Sequence, residues 1–254
     1  MLSASLSRLF ACLLFLQPGE PVQITVAAAS DLAPIENKIK ILVKQQGAYS
    51  IRFVFGSSGQ LATQIRAGAP YDVFLSANYD YVRALEPTGR LVPGSSRAFA
   101  RGRLALYARS AKVKSIQDLA EAAVRTVAIA NPAHAPYGVA ARQALGGVME
   151  AVGPKLVYAE NVRQALQFAE SGNADAALVA WPLVKDRAGA VLLAESTHGP
   201  IVQGAGVVRS TLGADAESRG VAAIAFVDLL TSKAGQVVLA EAGFVPLPAA
   251  PRQR

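Results

Sequence analysis

Ile24-Thr25-Val26-Ala27-Ala28-Ala29-Ser30-Asp31-Leu32 is a β-branched run that shrinks to small residues and stops at a serine. Ile24, Thr25 and Val26 favour a buried strand. Ala27, Ala28 and Ala29 leave the backbone open to close approach. Ser30 or Asp31 then stands where an N-cap belongs, ahead of Leu32, Ile35, Ile39 and Leu42 or Val43 at helical spacing. A strand that feeds a helix N-terminus makes an anion site. Unpaired backbone N–H groups and the positive end of the helix dipole point at the same spot.

The construction repeats in the next unit. Ile51-Arg52-Phe53-Val54-Phe55 reads as a strand, Gly56-Ser57-Ser58-Gly59 as a tight turn, and residues 60–66 as a helix stopped by Gly68. Ser57 and Gln60 have capping-box spacing, and Leu61 and Ile65 give the buried stripe. The separation of the two strands fits one βα unit returning to a parallel sheet. Taken singly, each serine is an ordinary helix cap. Taken together, with no Lys or Arg in either turn, they predict a site that holds an anion through neutral donors.

Further along, residues 71–77 read as a third strand after Gly68-Ala69-Pro70, and residues 78–85 as a helix. Residues 103–108 are strand-like, 113–123 a loop and helix, and 126–130 a buried strand ending in Asn131-Pro132-Ala133-His134-Ala135-Pro136-Tyr137-Gly138. A helix follows with Val139, Ala140 and Leu145 on its apolar side. Residues 156–158 form a short strand, 163–170 a helix, and 175–181 a strand halted by Pro182. Residues 202–208 form a strand, 221–230 and 235–240 terminal helices, and Gly243-Phe244-Val245-Pro246 closes the chain. Strands alternate with helices and no repeat of fixed period is visible, which predicts an α/β protein with parallel sheets.

Composition narrows the function classes. The chain is 254 residues long with 52% hydrophobic and 17% charged residues, enough for two packed α/β lobes. Two His and one Cys argue against an imidazole–thiolate metal cage and against a thiol nucleophile. The formal charge is +7, but the Lys and Arg residues are scattered and do not alternate with aromatics, which speaks against nucleic acid. Such a field steers small anions inward. Gly-x-Ser-x-Gly, the P-loop and the dinucleotide fingerprint are all missing from the sequence. Residues 1–22 carry Arg8 and a short apolar run, 9–16, too short to span a bilayer, and read as a secretory signal peptide. Its removal takes Cys12 with it.

The segments Ala27-Ala28-Ala29-Ser30-Asp31-Leu32, Phe55-Gly56-Ser57-Ser58-Gly59-Gln60-Leu61-Ala62-Thr63-Gln64-Ile65 and Gly68-Ala69-Pro70-Tyr71-Asp72-Val73-Phe74-Leu75-Ser76-Ala77 together resemble the periplasmic molybdate-binding proteins of bacterial ABC transporters. The resemblance runs from about Gln23 to about Leu247. It implies two Rossmann-like lobes with mostly parallel sheets joined by a hinge, of the type II periplasmic binding protein class. Residues 23–103 with 203–254 would form the first lobe and 104–202 the second. It further implies a non-enzymatic, cofactor-free, periplasmic monomer that captures molybdate or tungstate and passes it to an inner-membrane permease. Carried over by motif, the ligand-binding residues are Ser30 and Ser58 through hydroxyl and N–H, and Tyr137 and Val162 through backbone N–H. Ser57 fits a helix cap better.

Some family members add a tyrosine hydroxyl at the position occupied here by Ala180. One donor fewer, a water, or the hydroxyl of Tyr137 would answer for it. His134 reads as a solvated turn residue, Arg163 as solvent-facing, Asp31 as a cap turned onto backbone N–H groups, and Trp181 as core or interlobe packing. A cage of donors alone rejects a protonated anion, which needs an acceptor. Sulfate or another tetrahedral oxyanion, a ligand-sensing regulator domain, and an enzyme on the same scaffold are the alternatives.

Overall fold

Strand β1 (Val22–Ala29) lies inside a six-stranded sheet and is buried from Ile24 onward. The computed structural model describes residues 22–47, 49–209 and 215–247. The expected leader lies outside these except for Val22, which opens β1. After β1 come a 3-10 turn, Ser30–Ile35, and helix α1 (Glu36–Gln46). Then follow β2 (Tyr49–Gly56), α2 (Ser58–Arg66), β3 (Val73–Ser76), α3 (Tyr79–Arg83) and β4 (Arg97–Gly102). Side chains alternate across this sheet and both faces are covered. Val26, Ala28, Val73 and Leu75 pack into one core, while Ala27 and Phe74 join Leu61 and Ile65 in another.

The chain crosses at Arg103 into a second, five-stranded sheet. Here lie β5 (Leu104–Ala108), β6 (Val127–Ala130), α4 (Pro136–Ala144), α5 (Met149–Val152), β7 (Leu156–Ala159) and α6 (Val162–Ser171). Then come β8 (Ala176–Ala180), α7 (Trp181–Val184) and β9 (Ala190–Leu192). Strand β10 (Ile201–Val207) returns to the first sheet, pairing Ile201 with Gly102 and Val202 with Arg101. Helices α8 (Ala216–Thr231) and α9 (Lys233–Ala242) and the short β11 (Val245–Pro246) complete the first lobe. Phe226 of α8 meets the ring of Phe53 edge-on, with centroids 6.3 Å apart.

The strand orders are β11-β4-β10-β3-β1-β2 and β7-β6-β8-β5-β9. Each contains the same parallel unit. β1 lies between β2 and β3, and β6 lies between β7 and β8. The sheets are mixed, because the crossing strands β5 and β10, with β4, β9 and β11, pair antiparallel. The two-lobed α/β class is borne out, with parallel pairing confined to one side of each sheet, β3-β1-β2 in the first and β7-β6-β8 in the second.

Local differences from expectation have physical causes. The first helix starts at Glu36, not at Ser30, because Pro34 within the preceding turn cannot donate to an α-helical ladder. The helix expected within 113–123 is only a 3-10 turn, Gln117–Ala120. The Asp118 carboxylate accepts the N–H groups of Lys114 and Ser115 at 2.8 Å, a local bonding pattern that competes with helix. Strand β4 is hidden in the sequence by Arg97 and Arg101, which turn outward to Asp228 and Glu195.

Helix α4 approaches β6 so closely that a methyl group on Gly138 would collide with the carbonyl oxygen of Ala130. Gly138→Ala is therefore expected to destabilise the protein by about 1–3 kcal/mol, the range for overpacking. Urea unfolding measures it, and a midpoint equal to the wild type would show that the approach can relax.

Candidate functional site

The parallel registers set the geometry. β1 and β2 end level, with Ala29 opposite Gly56, and β6 and β7 end level, with Ala130 opposite Ala159. Chain leaving these four carboxyl ends turns toward the other lobe. In each lobe the next segments depart to opposite sides, which makes the central strand a topological switch point where ligands bind. Ser30 follows β1, Ser58 opens α2 after β2, Tyr137 lies in the first turn of α4 after β6, and Val162 opens α6 after β7. All four border one small interlobe cavity of about 10 Å³, together with Asp31, Ala77 and Asn161. That is room for about one water-sized sphere, so a four-oxygen anion needs the two walls to part slightly. A wider surface groove of about 870 Å³ runs past Pro34, Arg163 and Lys185, but it presents charges of both signs and none of the four residues.

The donors are left over by helix geometry. The first N–H groups of a helix have no partner within it. In α4, Pro136 has no N–H, while Gly138 and Val139 both donate to the Ala135 carbonyl. Tyr137 N–H is the donor that remains. In α6 the Asn161 side chain accepts from Arg163 and Gln164 at 3.1 Å and caps the helix. Val162 N–H precedes both and is free of the cap. In α2, Ser58 is fully buried and its oxygen accepts the Ala77 N–H at 2.9 Å. A hydroxyl that accepts from the backbone keeps its own proton to give. Ser30 differs, since its hydroxyl donates to the Gly56 carbonyl at 3.0 Å.

Three sequence expectations are corrected here. Ser57 sits at the N-cap of α2, but its hydroxyl makes no cap bond. It donates instead to the Gln60 side chain at 3.0 Å and shares a 2.7 Å hydrogen bond with His134 Nδ1. His134 is thus not a solvated turn residue. Its ring holds Ser57 across the cleft, and its carbonyl accepts Gly59 N–H at 2.9 Å. Gln60 Nε2 donates to Glu160 in the other lobe, which lengthens this latch.

The third correction concerns Asp31. It is fully buried, and its main partner is a side chain, because Gln203 Nε2 donates to Oδ2 at 2.6 Å. The Tyr137 hydroxyl faces the same carboxyl without closing a well-aligned hydrogen bond, and Asp31 Oδ1 has no partner. The hydroxyl oxygen of Tyr137 also lies against Gly102, where a side chain would strike it. Burial pushes the Asp31 carboxyl up to about 6, against the lowering influence of the Gln203 amide, the nearby Tyr137 hydroxyl and the local backbone N–H groups. Burial, with the Asp31 charge, pushes the Tyr137 hydroxyl upward too. The wall of donors therefore contains one acceptor. Gln203, polar within the otherwise apolar 201–207 strand, was the sequence signal for it.

Ala180 is buried at the end of β8 and is not among the residues bordering the cavity. Tyr137, whose hydroxyl is turned toward Asp31, does not stand free in its place. Arg163 is exposed. Trp181 packs on the second core and against Gly243 of the first lobe.

Two lobes joined by crossing strands, with backbone donors converging at the seam, define a solute-binding protein. Residues 24–245 match the bacterial extracellular solute-binding protein family, and the chain belongs to it. It is 33% identical over 233 residues to the molybdate-binding protein ModA of Rhodobacter capsulatus, covering 90% of each chain. It is 37% identical over 189 residues to ModA of Azotobacter vinelandii, covering 70% of this chain and 74% of that one. The structure of the periplasmic molybdate-binding protein of Azotobacter vinelandii superposes with a TM-score of 0.77 at 29% identity, covering 89% and 99%. The sulfate-binding protein SubI from Mycobacterium tuberculosis shares the fold, with a TM-score of 0.67 at 15% identity.

The raised carboxyl makes stability depend on pH. The native state binds the Asp31 proton more tightly than the unfolded chain, whose ordinary value is 3.8. That advantage is complete below 3.8 and is lost as pH rises through about 6. Asp31→Asn has no charge to bury. It is expected to exceed the wild type in stability at pH 8, by about 1–3 kcal/mol, with the difference shrinking toward pH 4. Chemical denaturation at both pH values checks this, and a pH-independent difference would remove the burial penalty.

Proposed function

We propose that this protein is a periplasmic solute-binding protein that captures molybdate, or tungstate, between its lobes and delivers it to an ABC permease. The observation that carries the reading is the convergence of Ser30, Ser58, Tyr137 and Val162 on one cavity that no Lys or Arg among the described residues borders. A desolvated dianion needs many short, charge-assisted hydrogen bonds, and fixed backbone donors supply them without reorganising. Helix N-termini on both sides of the cleft add favourable dipoles. The relatives named for molybdate support the choice among oxyanions.

The lobes are taken as residues 23–103 with 203–254, and residues 104–202. The two crossings that join them, near Arg103 and before Ile201, would act as the hinge. Export by the N-terminal leader agrees with the extracellular family, and the protein is read as a monomeric carrier rather than an enzyme.

Calorimetric titration with molybdate, tungstate, sulfate and phosphate tests the reading. One-to-one heat with the first two and none with sulfate is expected. Binding of sulfate alone, or silence with all four, would overturn it. Ser58→Ala is expected to weaken molybdate binding by about 1.5–3 kcal/mol, the range for a hydrogen bond to a charged group. Ser30→Ala should weaken it less through its hydroxyl, by about 0.5–1.5 kcal/mol, because that group must first leave the Gly56 carbonyl.

Gly59→Ala removes no donor, yet its methyl group would stand 2.8 Å from the His134 carbonyl oxygen and 2.9 Å from the Tyr81 hydroxyl. By holding the lobes wider than the slight parting the anion needs, it should lower molybdate affinity while leaving the thermal midpoint of the ligand-free protein nearly unchanged. Wild-type affinity in this variant would show that the latch is dispensable.

A further inference from the structure

Asp31 is the acidic exception in a wall of neutral donors. Its carboxyl is fully buried, lies at the same cavity as Ser30, Ser58, Tyr137 and Val162, and keeps one oxygen without a partner. The groups that act on it are Gln203 from β10, Tyr137 from α4 and the backbone N–H groups of Asp31 and Leu32, none of them a cation. The elements packed on the 30–35 turn bring no compensating charge. Glu36 and Lys40 of α1 pair with each other, Lys38 pairs with Glu241 of α9, and Glu170 of α6 pairs with Arg187. Lys185 after α7 pairs with Asp186, while Arg163, Lys233 and, on β2, Arg52 are exposed; β1 carries no charged residue.

An oxyanion entering this cavity would place a second negative charge beside a buried carboxylate. Like charges in one desolvated site cannot both remain ionised, and one of them takes a proton. Molybdate and tungstate are dianions at neutral pH, and the donor cage favours their ionised form. The carboxyl is held less completely, since one of its oxygens has no partner, and the Tyr137 and Gln203 side chains that act on it carry oxygens that also lack partners. A proton on Asp31 would find an acceptor there.

We propose that the protein captures its oxyanion together with one proton drawn from solvent, and that Asp31 holds that proton in the closed complex. Asp31 is then a charge-matching residue that sets how affinity depends on pH. The burial that already pushes its carboxyl up to about 6 in the free protein agrees in direction. The inference rests on the reading of the cavity as an oxyanion site.

The test is titration with molybdate at pH 7.5 in buffers of different ionisation enthalpy. Uptake of close to one proton per anion is expected. The affinity of the wild type should fall about tenfold per pH unit above pH 7 and level off below about pH 6. Asp31→Asn should bind without proton uptake and with a flattened pH profile. Wild-type binding with no proton exchanged would overturn the proposal while leaving the oxyanion site intact. Undiminished uptake in Asp31→Asn would overturn the assignment to this residue. Failure of the wild type to bind any of the anions would instead remove the site reading beneath it. The wild-type measurements stand on their own should the variant not fold.

Discussion

Peptide N–H groups that no helix can satisfy are the resource on which this molecule is built. Every α-helix begins with such groups, and most proteins give them to water or to a cap. Here two lobes aim them at each other. Level strand ends, Ala29 with Gly56 and Ala130 with Ala159, bring the turns to a common height. The remaining details decide which donors stay free. Proline at 136 removes one N–H, Asn161 takes two, and the Ala135 carbonyl takes two more. What is left at the start of α4 and at the start of α6 is a single, oriented donor next to the seam.

Small residues let the seam close. Gly138 brings α4 onto β6, and Gly59 brings α2 against the 131–135 turn. Ala29 and Ala77 border the cavity without filling it. Around the donors, Ser57 and His134, Gly59 and the His134 carbonyl, and Gln60 and Glu160 form hydrogen bonds between the lobes. These bonds belong to the closed arrangement, so part of the closing energy comes from the protein itself, and a ligand has correspondingly less to supply.

The carboxyl of Asp31 sets a tension inside this frame. A buried acid without a cation destabilises the closed, dry site unless it is neutral. The Gln203 amide lessens that burden and the Tyr137 hydroxyl shares the space, joining the two lobes through a polar cluster with unfilled valences. A site of donors alone would be simpler to stabilise. The acceptor makes the chemistry of the cavity depend on a proton.

The sequence by itself determined the α/β class and most strand and helix positions, while the four proposed donor residues came from its resemblance to a family. Those features are written in short-range patterns: β-branched runs, small-residue turns, serines ahead of helical stripes. It did not reveal β4, because Arg97 and Arg101 mask a strand whose outer face is charged, nor the bond that joins Ser57 to His134. His134 and Asp31 were assigned by local habit, to solvent and to a cap, and the structure gives both to partners far along the chain: Ser57 lies 77 positions from His134, and Gln203 lies 172 from Asp31. The repeat of one three-strand unit in both lobes was equally invisible, since it is a likeness of topology and not of residues. Local rules fix which groups are donors. Only the packing of one lobe on the other decides what they face, because burial and charge pairing are properties of distance in space and not along the chain.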